Sequence, residues 1–180
     1  MQISKLGQTK RPSRADARLT ALSAGTMIAT PSGEIAVERL SPGMTVFTRN
    51  SGPVRVADVR HALGGRVRAV RIRAGALGNG VPARDVTVAE GQRLMIDAAT
   101  VKLLFDVEEA MVEAGDLVGK PGIEWSQNPG MGWVSVSLVS DELVLIDGMW
   151  AESEPARMAG GIAVPSGRRV LSRIDARLIG

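Results

Sequence analysis

Between about residue 19 and residue 105, turn-forming residues interrupt the sequence at intervals of roughly 8–12 residues. Clear turns are Pro31-Ser32-Gly33, Ser41-Pro42-Gly43 and Asn50-Ser51-Gly52-Pro53. The segments between them are too short for helices, and Val70-Arg71-Ile72-Arg73 alternates cleanly, so Val70 and Ile72 are expected to face inward. This regular spacing of turns between short strands predicts an all-β sandwich, barrel or related fold.

The same rules give boundaries for the individual elements. Strands are predicted at Met27–Thr30, Glu34–Leu40, Met44–Arg49, Val54–Arg60, Val70–Arg73, Asp85–Val88, Arg93–Asp97, Val101–Phe105, Val134–Leu138 and Leu143–Ile146. A short helix is predicted at Val107–Ala114 and a basic amphipathic helix at Arg168–Ile179. The second helix has Ser166-Gly167 as a start signal. Its apolar face, formed by Val170, Leu171, Ile174 and Leu178, is expected to dock on the β body rather than on a membrane or partner.

The residue inventory restricts the chemistry more than the fold. The 180 residues contain no cysteine and one histidine, which excludes disulfides, thiolate metal sites and a thiol nucleophile. The single histidine, His61, lies in an arginine-flanked segment and is interpreted as a surface residue. Adjacent carboxylates at Glu108/Glu109 and Asp141/Glu142 point to different faces of a strand or helix, so neither pair converges on a metal. No cofactor or metal is expected.

The N-terminal residues differ in character from the rest of the chain. Residues 1–18 are basic, polar and without periodicity, and are predicted to be a flexible leader before one domain at residues 19–180. No segment approaches the roughly 20 apolar residues of a membrane span, and the leader does not have the pattern of a secretory signal. A soluble, cytoplasmic protein is therefore the expectation.

One ordered series of motifs resembles a known family. The series comprises Ser23–Gly33, Val37–Val46, Val70–Gly80, Pro82–Asp85, Arg93–Asp97, Glu142–Val144, Ala151–Ser153, Arg169–Leu171 and Ala176–Leu178. In order and spacing it is similar to hedgehog/intein (Hint) domains, and most similar to the bacterial branch found at the ends of larger secreted or structural proteins. The resemblance covers about residues 21–179. It implies a compact β fold with halves related by a pseudo-twofold axis.

The resemblance also implies self-processing, in which a cysteine at the domain start attacks the carbonyl of the residue before it. That step needs an activated thiol, a histidine that protonates the departing amine, and donors for the oxyanion. The family's cysteine falls on Ala21, its central histidine on Gln92, and its later histidine positions on Ser135 and Asp141. Alanine has no nucleophilic atom, and glutamine does not titrate near neutral pH. These four vestigial positions predict a catalytically inactive member of the family.

Three hypotheses for function follow from the sequence. The leading one is a degenerate Hint domain retained as a binding module for an unidentified protein or for its attached polypeptide. Its expected surfaces are the former active-site cleft and the basic leader. The second is residual self-cleavage or splicing through the hydroxyls of Ser23 or Thr26, with water oriented by Asp141. The third is a basic nucleic-acid-binding β domain that uses Arg60, Arg66, Arg68, Arg71 and Arg73.

Overall fold

The computed structural model describes residues 19–62, 67–97, 99–126, 132–155 and 168–179. Its strands are β1 Leu22–Ser23, β2 Met27–Thr30, β3 Gly33–Ala36, β4 Thr45–Thr48, β5 Gly52–Ala62, β6 Ala69–Ile72, β7 Val86–Ala89, β8 Arg93–Ile96, β9 Ala110–Glu113, β10 Ile123–Trp125, β11 Trp133–Leu138, β12 Leu143–Ile146, β13 Met149–Glu152 and β14 Glu154–Pro155. The helices are a 3-10 turn at Val37–Arg39, α1 Ala99–Phe105, α2 Ala114–Leu117 and α3 Arg173–Leu178. The predicted leader, residues 1–18, lies outside the described residues, as does residue 180 of the predicted domain.

The strands form one curled, mainly antiparallel sheet in the order β10-β6-β7-β1-β11-β5-β4-β12-β13-β8-β9. β5 is the long strand that lets the sheet curl, because its first part pairs with β4 and its second part with β11. The short β1 lies in the middle of the order, between β7 and β11. The start of the domain is therefore built into the centre of the sheet. The all-β prediction is confirmed.

Aliphatic side chains fill the inside of the curl. The largest fully buried residues include Ile28, Ile72, Leu94, Met111 and Leu138. Because side chains alternate across a strand, Val70 and Ile72 are buried while Arg71 and Arg73 face solvent, as predicted. A branched aliphatic core of this kind compensates for the scarcity of aromatic residues.

The structure reverses the predicted strand and helix at residues 101–114. Val101–Phe105 was expected to be a strand, but it belongs to α1, since Ala, Lys and Leu favour helix and only one side of the segment is buried. The predicted helix at Val107–Ala114 instead contains β9, which pairs along its length with β8 and bridges to Val170. Its glutamates and alanines favour helix, but burial of Ala110–Val112 between neighbours outweighs that preference.

The C-terminal helix is shorter than predicted and docks through a different face. It begins after Ser172, whose hydroxyl and backbone form a capping box with Asp175, and the predicted start at residues 166–167 lies outside the described residues. The buried residues are Leu171, Ala176 and Ile179. Of the predicted face, Ile174 is 75% exposed, and Leu178 is also exposed. The expected helical stripe was wrong because Leu171 precedes the helix and is held by a backbone hydrogen bond to Met111.

None of the helices in the described part of the chain has the length and apolar character needed to cross a membrane.

Candidate functional site

The segment that carries Ala21 is a fully integrated strand. Leu22 pairs with Val88 on one side and with Val134 on the other. Just before β1, the Ala89 N–H donates to the Ala21 carbonyl at 2.9 Å, and the Gly91 N–H donates to the Leu19 carbonyl at 3.1 Å. The backbone on both sides of the peptide bond between residues 20 and 21 is therefore fixed.

The carbonyl of Thr20 is the group that a nucleophile at position 21 would attack. The Ser135 hydroxyl, from β11, donates a hydrogen bond to this oxygen at 2.8 Å. The Thr20 hydroxyl makes a longer contact of 3.4 Å with the Gly91 carbonyl. The position predicted to have lost a histidine thus places a hydrogen-bond donor on the oxygen that would become the oxyanion.

Gln92 lies just before β8 with 2% of its surface exposed. Its side-chain nitrogen donates to the Glu152 carbonyl at 2.9 Å and to the Arg93 carbonyl at 3.2 Å. A glutamine amide has two N–H donors and no titratable proton near neutral pH. Gln92 joins β8 to β13 and has no proton to give to a departing amine.

Gln92 and Ser135 share a cavity with Thr20 and Leu22. The cavity has a volume of about 10 Å³. Its remaining lining residues are Val134, Val136, Val144, Glu152, Ser153 and Glu154. That volume is close to the minimum for one water molecule. Because Thr20 and Leu22 themselves line it, the space beside Gln92 and Ser135 is a small cavity and not an open groove.

Ala21 itself faces elsewhere. It is 2% exposed and packs with Ala69, Ala89 and Trp133 in an apolar cluster separate from the main core. It does not line the cavity that holds Gln92 and Ser135. Ala21 directly follows Thr20, which lines the cavity, but of the three positions only Gln92 and Ser135 line it.

Asp141 is the fourth vestigial position, and it is not among the residues that line the cavity. Its carboxylate lies 3.8 Å from Arg168. Burial raises the pKa of the Asp141 carboxyl above its ordinary value, and the nearby Arg168 guanidinium works against that rise. Asp141 is a member of a half-buried ion pair.

The two hydroxyls suggested as replacement nucleophiles also lie outside the cavity. Ser23 is buried, and its hydroxyl donates to the Ala24 carbonyl at 3.3 Å. Thr26 is 4% exposed at the entry to β2.

His61 is exposed on β5, opposite Val134. His61 is distant in sequence from the site, but its strand is the direct neighbour of β11.

Sequence reasoning gave no role to four residues of this site. They are Thr20, Glu152, Ser153 and Glu154, which all line the cavity. Glu152 pairs with Arg93 at 3.2 Å, and Glu154 pairs with Arg60. Residues 151–153 belong to the motif series, which was the available signal, but only the pairing of β13 and β14 with their neighbours brings them here.

The adjacent carboxylates diverge toward separate partners, as predicted. Glu108 pairs with Lys102 at 2.5 Å, whereas Glu109 pairs with Arg49 at 2.6 Å. Glu142 is buried and accepts a hydrogen bond from Ser51, whereas Asp141 pairs with Arg168. Within the described residues, no three His, Cys, Asp or Glu side chains are grouped in a way that could hold a metal ion.

The arginines considered for nucleic-acid binding carry acidic partners. The pairs are Arg60 with Glu154, Arg68 with Glu90 at 3.5 Å, Arg71 with Asp85 at 2.7 Å and Arg73 with Glu124 at 3.1 Å. Arg66 lies outside the described residues. Each carboxylate offsets charge that would otherwise attract phosphate.

An all-β domain that encloses its own N-terminal segment, with a side-chain donor on the carbonyl before that strand, has the architecture of a self-processing domain. Residues 20–156 match the family model described as the Hint domain. The chain therefore belongs to the Hint domain family.

Solved structures agree on the fold. The solution structure of a bacterial intein-like domain from Clostridium thermocellum superposes with a TM-score of 0.53 at 16% identity, covering 76% of this chain and 99% of that one. A crystal structure of a variant of the MchDnaB-1 intein gives 0.52 at 13% identity, covering 74% and 99%. At these identities the likeness concerns the fold alone. No curated protein sequence is similar enough to this chain to count as a match.

Proposed function

We propose that this Hint domain is catalytically inactive and serves as a binding module that holds the polypeptide preceding Ala21. The observation that carries the proposal is the hydrogen bond from Ser135 to the Thr20 carbonyl in a site with no nucleophile at position 21. The bond that the family would break is held by the fold, with no group present to attack it.

The hydrogen bonds of Gln92 also support the loss of self-processing activity. Gln92 uses its amide on two backbone carbonyls and cannot act as a general acid. Loss of a nucleophile or base from such a site typically costs a factor of about 10⁴–10⁶ in rate, and the losses are not additive because the residues act as a unit.

The binding role is supported by the enclosure of residues 19–23. Backbone hydrogen bonds from Ala89 and Gly91 and two-sided pairing of Leu22 fix this segment. Because the remaining cavity is only about 10 Å³, a free partner would have to displace β1 to enter the cleft. The attached polypeptide is therefore the better occupant, and the former cleft is a poor surface for a separate protein.

Residual cleavage through a hydroxyl is the second candidate. Ser23 is directed at the Ala24 carbonyl and Thr26 lies outside the cavity, so neither is placed to attack the Thr20 carbonyl. Nucleic-acid binding is disfavoured by the acidic partners of Arg60, Arg68, Arg71 and Arg73.

The test is a reporter protein fused ahead of the full chain and incubated with and without hydroxylamine or dithiothreitol. We expect no cleavage between Thr20 and Ala21, and slow amide hydrogen exchange at the Ala89 and Gly91 N–H groups. A cleavage product that disappears in Ser23→Ala or Thr26→Ala would establish the hydroxyl mechanism instead. Fast exchange at Ala89 and Gly91 in the intact protein would refute the holding role.

A further inference from the structure

A second and larger cavity lies at the other end of β8 and β13 from the Thr20 site. Its volume is about 250 Å³. Gln92 and Glu152 mark one end of this strand pair, while Met95 and Met149 line the cavity at the opposite end. The cavity is thus separate from the cleft of the Hint site, and no part of the proposed function uses it.

One wall of this cavity is apolar and aromatic. Its lining includes Leu77, Met95, Met149 and Trp150. Pockets that bind small molecules combine such surfaces with a few polar groups that fix orientation. Since the volume is below the roughly 300–1,000 Å³ of drug-sized sites, a small ligand is indicated.

The loop that forms the mouth has a defined shape. Gly78, Asn79 and Gly80 all have positive φ, and Asn79 has the value 51°. The turn is closed by a hydrogen bond from the Leu77 N–H to the Val81 carbonyl at 2.8 Å. Such backbone is uncommon for a residue other than glycine, although asparagine tolerates it better than most. Asn79 lines the cavity from this closed loop, so this part of the cavity is preformed.

The charges around the cavity favour a cation. Arg49 lines it, but its guanidinium donates twice to Glu109, at 2.6 and 3.1 Å, and lies 5.8 Å from the centre of the Trp150 ring. Glu109 therefore offsets the charge of Arg49. Asp97 also lines the cavity, so the three charged groups Arg49, Glu109 and Asp97 together carry a net charge of −1. A carboxylate among apolar lining residues suits an organic cation that has an apolar body.

We propose that this cavity binds a small organic cation with an apolar body, such as an aromatic amidine or amine. The apolar body rests against Trp150 and the methionines, and the cationic group faces Asp97. This site is independent of the proposed function, and its failure would leave the Thr20 argument unchanged.

The test uses two probes of the same shape and opposite charge. Benzamidine and benzoate are titrated separately into the full chain, and binding is followed by the NMR signal of the Trp150 indole N–H. We expect saturable benzamidine binding at least about twofold tighter than benzoate, because an ion pair at the exposed Asp97 carboxylate is worth about 0.2–1 kcal/mol, or about 1.4–5-fold, and the same carboxylate repels benzoate. Equal or stronger benzoate binding overturns the proposal, as does the absence of saturable benzamidine binding.

The variant Asp97→Asn removes the carboxylate charge from an exposed position and is expected to weaken benzamidine binding about two- to fivefold. The matched control is Asp58→Asn, which makes the same charge change at an exposed residue of β5 that does not line the cavity. Its affinity should remain that of the parent. An unchanged affinity in Asp97→Asn, or equal losses in the two variants, would contradict the assignment of Asp97.

Discussion

Restoring two side chains should return the first step of self-processing to this domain. The double variant Ala21→Cys/Gln92→His supplies a thiol on the residue that follows the Thr20 carbonyl and an imidazole at a position that lines the same cavity as Thr20. The Ser135 hydroxyl already donates to the carbonyl oxygen at 2.8 Å. The expected product is a thioester at Thr20, formed by transfer of its acyl group from nitrogen to sulfur.

The size of each contribution can be estimated. A sulfur atom added at Ala21 enters a closely packed cluster and costs about 1–3 kcal/mol, which a domain with about 5–15 kcal/mol of stability tolerates. A positioned acid or base contributes about 10²–10⁴ in rate, so the double variant should exceed Ala21→Cys alone by that factor. Removing an oxyanion donor costs about 10²–10³, the loss expected when Ser135→Ala is added.

The assay is the reporter fusion described above, with hydroxylamine or dithiothreitol added to cleave any thioester. The cleaved fragment should end at Thr20, and its rate should rise from the parent through Ala21→Cys to the double variant. Gln92→His alone is the matched control, since it has the imidazole without the thiol. The reasoning is refuted if the folded double variant gives no thiol-dependent product, or if Ser135→Ala leaves its rate unchanged.

Three further predictions concern stability. Burial raises the pKa of Asp147, so its proton favours the folded state, whereas a backbone hydrogen bond lowers the pKa of Asp85. Relative to the parent, Asp147→Asn should gain free energy of unfolding as pH rises above about 4, whereas Asp85→Asn should lose it as pH rises from strong acid to about 4; urea titrations from pH 2 to 7 that give one common sign would contradict this. Leu171→Ala should cost about 2–5 kcal/mol in urea unfolding and Ile174→Ala no more than about 0.5, since the first is 2% and the second 75% exposed; equal losses would contradict the docking face. Gly148→Ala should lower the melting temperature by the equivalent of about 1–2 kcal/mol, because φ is +81° and the added Cβ would lie 3.3 Å from a neighbouring side chain; an unchanged Tm would contradict it.

The sequence was most informative where local chemistry determines the structure. Turns such as Ser41-Pro42-Gly43 and alternation such as that of Val70 and Ile72 depend on nearby residues, and strands formed beside them. The strand predicted at Glu34–Leu40 was too long, because β3 ends at Ala36 and Val37–Arg39 forms a 3-10 turn. Between residues 101 and 114 the short apolar segments carried no decisive period. There, pairing of β9 with β8 determined the outcome, and pairing is a property of the whole fold.

The site could be predicted only in part for the same reason. The motif series identified Gln92 and Ser135, which share a cavity, but it also suggested Asp141, which pairs with Arg168 outside that cavity. Thr20 precedes the motifs and is brought to Ser135 only by the insertion of β1 between β7 and β11. No spacing along the chain encodes that contact.

The side chain of Gln92 stabilises the fold in a way that a histidine at this position would not. Two backbone carbonyls, those of Glu152 and Arg93, lie within reach of this side chain. A neutral imidazole has one N–H donor, and only the protonated ring has two, whereas a glutamine amide has two at every physiological pH. Since an unsatisfied buried carbonyl costs about 1–3 kcal/mol, Gln92 serves the packing of β8 against β13 better than a titrating histidine would. On this argument Gln92 contributes to stability at the position where the resemblance implies a catalytic histidine, which fits the proposal of a domain that holds its N-terminal segment and does not cut it.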